Sequence, residues 1–214
     1  MTNLSTSFDS EALWLSLRLA TSTTFLLFLG GVPLAYGLSQ KRWKFQFLVD
    51  TLISLPLVLP PTVLGFYLLL LLGAQTVLQP FSFGGLLLGS VIYSLPFAFQ
   101  PTYQAFLNVP PRAIEAAHSL GASRWRTFYR IIFPHAFPGI LSGMILAFAH
   151  TLGEFGIVLM VGGNIPGVTR TLSIAIYDDV QSLNYARANS TSALLLLISF
   201  GALLWVNLLK QRTR

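Results

Sequence analysis

At 214 residues, 54% hydrophobic and only 9% charged, the chain carries too little charged surface for a soluble domain of its size. Its 17 phenylalanines and mean hydropathy of +0.68 imply a polytopic membrane protein instead. The net charge of +6 comes with no basic face interleaved with aromatics, which argues against nucleic acid, and the absence of cysteine excludes disulfides and thiolate metal sites.

In chain order, five apolar segments approach the roughly 20 residues that cross a bilayer as helix: Ala12–Leu38, Phe47–Leu72, Gly84–Leu107, Ala136–Val161 and Ser192–Leu209. The first is flanked by Asp9 and Glu11 rather than by a basic region, so it reads as a span and not as a cleaved leader. Lys41, Arg42 and Lys44 follow the first span, Arg112, Arg124, Arg126 and Arg130 the third, and Lys210, Arg212 and Arg214 the fifth. The opposite side keeps only Arg18, Arg170 and Arg187. The positive-inside rule then predicts the N-terminus outside and the C-terminus in the cytoplasm. The expected architecture is all-α, a single membrane domain over residues 1–214 with about five spans. Trp43 and Trp205, near span ends, fit interfacial anchoring, and Arg18 can snorkel to headgroups.

Span two reads Leu55-Pro56-Leu57-Val58-Leu59-Pro60-Pro61, and span three holds Pro96 and Pro101. Each proline removes a backbone donor and bends a helix, and the freed carbonyls must be met by neighbouring protein. Two readings stand, kinked helices lining a gate or ordinary kinks, with Pro60-Pro61 the stronger gate candidate. The loop Gly73–Phe83 is short and uncharged. Beyond span four, Gly162–Asn189 opens on a turn signal, Asn164-Ile165-Pro166-Gly167, and its segment Thr171–Val180 fits a short surface helix or a strand-like stretch.

The loop between spans three and four concentrates charge in a chain that has little. Asn108 or Pro110-Pro111 can start a helix there, with Glu115 early enough to complement the positive end of its dipole. Ala116 and Ala117 are strong helix formers that leave a smooth surface, and Gly121 supplies a bend or a close backbone approach. Arg124, Trp125, Arg126, Phe128 and Tyr129 continue as an amphipathic stretch towards Pro134. The pattern suits a helix inserted into another protein's groove, or a basic interfacial helix facing lipid headgroups.

Glu115-Ala116-Ala117, Gly121, Ile131 and Pro134 resemble the EAA motif of ABC importer permeases, with Phe133 in place of the usual Leu. The resemblance implies a type I importer fold whose cytoplasmic coupling helix, between the third and fourth spans, docks in a cleft of the ATPase subunit; Glu115, Ala116, Ala117, Gly121 and Arg124 are the expected contacts. Ser54–Gly65, Leu152-Gly153-Glu154-Phe155-Gly156, Gly163–Gly167 and Thr169-Arg170-Thr171-Leu172 further resemble the molybdate permease subgroup. Sulfate permeases share the general plan, and His150 stands where many relatives carry Arg. Together the similarity covers most of residues 12–209. It implies a homodimer with the path on its axis, two cytoplasmic ATPases that use ATP and magnesium, and an external oxyanion-binding protein. Asn164, Pro166, Arg170, Asp178 and Asp179 are the candidates for docking that protein.

His150 and Glu154, four apart, are expected on one face of span four, with Glu154 roughly 27 Å along the helix from Ala136 and close to its outer end. With Pro60 and Pro61 they form the expected pathway or gate set; the alternative is a buried pair bonded to neighbouring helices. No catalytic set is visible, and no G-x-x-x-x-G-K-[ST] occurs, so the chain is not expected to be an enzyme by itself or to bind a cofactor. His118, His135 and His150 have no metal-like spacing. A secondary transporter driven by an ion gradient remains the rival class, although internal repeats and additional spans are absent.

Overall fold

Capping and proline placement decide where the helices begin and break in the structure, a computed structural model that describes residues 9–40, 44–73 and 79–212. Asp9 Oδ1 accepts from the Ala12 N–H at 3.0 Å and so starts α1, which runs unbroken over Ser10–Gln40. Ser82 Oγ accepts from the Gly85 N–H at 3.2 Å and starts α4, Phe83–Leu107, which contains Pro96 and Pro101 without ending at either. Both agree closely with the expected first and third spans. Among the described residues there is no strand. Trp43, Lys41, Arg42 and Arg214 fall outside those residues.

The second span is not one helix. α2, Gln46–Ser54, tightens into a 3₁₀ turn over Leu55–Leu57, and α3 restarts at Pro61 and ends at Gly73. The two limbs meet at a bend of 107°. Pro60-Pro61 causes it, because each proline lacks an N–H and pushes the residue before it out of the helical region, while Pro61 is well suited to open a new helix.

The fourth span is displaced from its expected position. The helix starts at Arg124, not Ala136, as α6, Arg124–Thr127, passes through one π-helical turn, Phe128–Ile132, and becomes α7, Phe133–Gly153. Ser123 caps it by accepting from the Arg126 N–H at 3.3 Å. It stops at Gly153, since Glu154 is extended (φ −66°, ψ 129°), and α8, Gly156–Gly162, follows as a separate short helix. Hydropathy alone misplaces this span because its first turns are arginine-rich and its last apolar residues belong to α8. The stretch expected to be a short helix or strand-like is helical over α9, Leu172–Gln181. The last span, α10, begins at Tyr185, earlier than Ser192, and extends to Arg212.

In a bilayer, helices associate through close packing of small residues rather than through hydrophobic transfer. The α4–α7 seam follows that rule: a Cβ on Gly143 would lie 2.6 Å from the Ala98 carbonyl oxygen, and one on Gly139 would lie 2.3 Å from the Ala105 Cβ. Around the seam Phe99, Phe106, Ile140 and Met144 bury with Leu27, Ala35 and Leu38 of α1. A second core joins Leu68 and Leu72 of α3 to Leu86 of α4 and Ile157 and Val161 of α8. A third seats α9 on α1 through Ala12, Leu172 and Ala175, where the Leu172 N–H donates to Ser16 Oγ at 2.8 Å. Phe25 and Leu29 of α1, and Leu196, Leu197 and Phe200 of α10, face outward as lipid-facing residues should.

Candidate functional site

Two arrangements carry the functional residues, one at the breaks in spans two and four and one at the basic end of the bundle. At the breaks, Pro61 meets Gly156: a Cβ on Gly156 would lie 2.7 Å from the Pro61 Cβ. One turn further along, a Cβ on Gly65 would lie 2.7 Å from the Met160 Cβ. The bend in one span is thus seated in the bend of another, and α3 and α8 form a closely packed pair. Pro60 itself is exposed at the corner.

His150 and Glu154 lie beside these breaks but are not on a common helical face, because α7 ends between them. His150 is stacked on Phe97 of α4 with ring centroids 3.9 Å apart, and Tyr93 lies 5.0 Å away. Its Nδ1 is 3.0 Å from Ser94 Oγ, which is also 2.8 Å from Thr151 Oγ1. Thr151 Oγ1 donates in turn to the Ala147 carbonyl, tying this polar group to the α7 backbone. Glu154 is 4% exposed, and neither carboxylate oxygen has a hydrogen-bond partner among the described residues. Beside it lies Ser90, fully buried, with its hydroxyl turned towards the carboxyl. A buried carboxyl so short of donors is costly within a membrane core. The Ser90 to Ser94 spacing of four on α4 was the available signal for these unforeseen partners; nothing in sequence paired them with α7. No group of His, Asp and Glu able to hold a metal occurs among the described residues.

At the basic end, α5, Pro111–Ser119, turns Ile114 and the buried Ala117 inward and leaves Glu115, Ala116, His118 and Ser119 exposed. Its C-terminus closes in a Schellman motif, with the Ala122 N–H donating to Ala117 O and the Gly121 N–H to His118 O, both at 2.9 Å. That motif requires Gly121 at φ +74°. A Cβ there would meet nothing within 4 Å among the described residues, so within this chain the glycine serves the bend. Leu120 is consequently held 88% exposed at the tip. Arg124 is exposed beside Trp125 on the rim of a groove of about 460 Å³, between α6 and the end of α1. Beneath it an aromatic cluster joins the loop to the spans, with Tyr36 of α1 packed 4.8 Å from Phe128 and 5.2 Å from Phe106 of α4.

At the opposite end, Asn164, Arg170 and Asp178 are bonded to one another. Asn164 Nδ2 donates to both Asp178 oxygens at 2.9 and 2.7 Å, Arg170 Nε donates to Asn164 Oδ1 at 2.8 Å, and Arg170 pairs with Asp178 at 3.4 Å. Pro166 is exposed at the tip of the turn they brace. Asp179 differs from the rest of the expected docking set, because it is buried and pairs inward with Arg187 at 3.4 Å, Arg187 also reaching Asp9 at 3.7 Å. Arg18 is exposed near this end, with its guanidinium 4.3 Å above the Phe83 ring.

Interrupted spans packed break against break, with an exposed helix projecting from the loop before span four, define a membrane subunit of a transporter. The chain belongs to the family of binding-protein-dependent transport system inner membrane components, whose pattern matches residues 28–214. It is 44% identical over 203 residues to the molybdenum transport system permease protein ModB of Azotobacter vinelandii, covering 90% of each chain. The sulfate transport system permease protein CysT of Escherichia coli (strain K12) is 29% identical over 192 residues, covering 85% of this chain and 69% of that protein. The fold matches that of the methionine ABC transporter MetNI in an inward-facing conformation, with a TM-score of 0.80 at 17% identity and 100% of both chains covered.

Proposed function

We propose that the chain is the permease subunit of an ATP-driven importer of molybdate or tungstate, working as a homodimer with two cytoplasmic ATPases and an external oxyanion-binding protein. The observation that carries this reading is α5: a short helix with an exposed Glu115-Ala116 surface, closed by a capped turn and packed through Ile114 on the core that α1 and α4 share. Its likeness to the molybdenum permeases supports the choice of substrate class. ATP and magnesium belong to the partner ATPase, since this sequence has no phosphate-binding loop of its own. The basic end faces the cytoplasm, the N-terminus lies outside, and α5 receives the motion of the closing ATPases. Glu115, Ala116, Gly121 and Arg124 make that contact, with Ala117 supporting it from beneath. Pro61 and Gly156, with His150 and Glu154 alongside, then form the gate where the broken spans shift against each other. The braced turn at Asn164, Pro166, Arg170 and Asp178 is the docking surface for the binding protein.

The test is uptake into vesicles holding the purified complex. Molybdate should accumulate only with internal ATP and with the binding protein outside, and a proton or sodium gradient should not replace ATP. Accumulation that follows an ion gradient without the ATPase would overturn the reading. The likeness to sulfate permeases favours sulfate as a second substrate. Both are tetrahedral dianions, so competition by excess sulfate separates the two.

A further inference from the structure

α4 carries a stripe of amides that its membrane setting does not explain. Gln100, Gln104 and Asn108 recur at every fourth position, and all three are exposed, while Ala98, Thr102 and Phe106 on the other side of the helix are buried. Carboxamides turned towards hydrocarbon lose their hydrogen bonds to water without compensation, so such a stripe belongs against water or protein. It lines a cavity of about 660 Å³ at the cytoplasmic end of the α4–α7 seam, shared with His135 and Ser142 of α7. The absence of a side chain at Gly139 deepens the recess, since a Cβ there would collide with Ala105.

The donors in this cavity divide into two kinds. Ser142 Oγ donates to Pro138 O at 2.8 Å, His135 Nδ1 is 2.7 Å from Ile131 O, and Gln100 Nε2 donates to Ser54 Oγ at 3.2 Å. The Gln104 and Asn108 side chains have no such partner among the described residues, which leaves their N–H donors free for whatever occupies the space. Among the described residues no lysine, arginine or carboxylate lines the cavity. Asp50, one turn before Ser54, lines a separate opening with Thr51. Amide N–H groups attract an oxyanion without the grip of a fixed charge, as conduction requires of sites that must release what they bind.

We propose that this stripe is the inner half of the anion path, closed by the same stripe of a second copy, and that the Gln104 and Asn108 amides carry the oxyanion through it in place of any cation. An exposed stripe of this kind suits twofold pairing, because an isologous contact can set each stripe opposite its own counterpart. The inference rests on the oxyanion-permease reading above.

The chain has no cysteine, which permits a direct test in the full complex with a cysteine-free ATPase and binding protein. In Gln104→Cys the thiol should react with a charged, membrane-impermeant methanethiosulfonate at least ~10-fold faster than in Leu197→Cys, whose position faces lipid, because the reagent needs a hydrated thiolate. An anionic label at position 104 should then abolish ATP-driven molybdate uptake. In Gln104→Glu the fixed negative charge should cut uptake by ~10-fold or more while the ATPase still co-purifies. Equal labelling at positions 104 and 197, or uptake by Gln104→Glu within about twofold of the parent, would overturn the proposal. Failure of the unmodified complex to transport molybdate would instead overturn the permease reading itself.

Discussion

Replacing Gly121 by alanine isolates one physical quantity, the cost of holding an L residue at φ +74°. Among the described residues of the chain no atom lies within 4 Å of the added methyl, so the intramolecular penalty is conformational. For an ordinary residue the left-handed region costs about 1–2 kcal/mol, whereas asparagine visits it more readily. A penalty of that size is small beside the roughly 5–15 kcal/mol of a whole domain, yet it shifts a local two-state turn by about 5–30-fold. The element it biases is the capped turn that fixes the exposed Leu120 and the angle between α5 and α6. Gly121→Ala should therefore weaken binding of the purified ATPase by about 5–30-fold, and Gly121→Asn by only about two- to threefold, with thermal unfolding of the spans unchanged. Surface-immobilised permease in nanodiscs titrated with ATPase measures the first, and a melt followed by tryptophan fluorescence the second. Equal affinities for glycine, asparagine and alanine would show that the cap does not set the docking geometry. A lowered melting temperature in Gly121→Ala alone would show that the turn supports the fold rather than the contact.

Three other outcomes follow from distances in the membrane core and the outer end. Gly156→Ala drives a methyl to 2.7 Å from the Pro61 Cβ, so it should destabilise the α3–α8 pair by about 1–3 kcal/mol; uptake falls while ATPase binding, measured in the same nanodiscs, is preserved. Ser94→Ala removes the group joining His150 to Thr151 and leaves the imidazole Nδ1 unbonded, costing about 1–3 kcal/mol, read as a lower denaturation midpoint in detergent. Arg187→Gln should destabilise more than Arg170→Gln, since it strands the buried Asp179, whereas the Arg170–Asp178 pair is about one-third exposed and contributes about 1 kcal/mol or less. Equal melting temperatures for these two variants would contradict that ordering.

Periodicity and capping made much of this architecture readable in advance. α1 and α4 are uninterrupted apolar runs with polar starts, and their ends match expectation within a few residues. The α5 helix was legible because Pro111, the alanines and Gly121 are local signals whose meaning does not depend on distant residues. The break in span two was signalled by Pro60-Pro61, but its 107° angle depends on α8 filling the corner through Gly156, a contact between residues far apart in sequence. Span four was misplaced because hydropathy cannot distinguish one helix from two short ones separated at Glu154. Asp179, expected on the docking surface, is instead buried because its partner Arg187 reaches back from the next helix, an arginine shared with Asp9 from the start of the chain. The amide stripe on α4 was missed for another reason: polar residues at a spacing of four stand out only once their helix face is known to be uncovered.

The continuous helix from Arg124 to Gly153 has 30 residues. At about 1.5 Å per residue it is roughly 45 Å long, against a hydrocarbon thickness of about 30 Å. About one-third of it therefore projects beyond the hydrocarbon, beside α5. In the proposed reading it is a lever, with a long arm of about 30 Å in the membrane and a short arm of about 15 Å beside α5. A tilt of ~10° about the membrane boundary would carry its far end, at Glu154, through about 5 Å and its short arm through about 2.6 Å. Small displacements at the α5 contact are thus enlarged mechanically at the break between α7 and α8, with no helix needing to unwind.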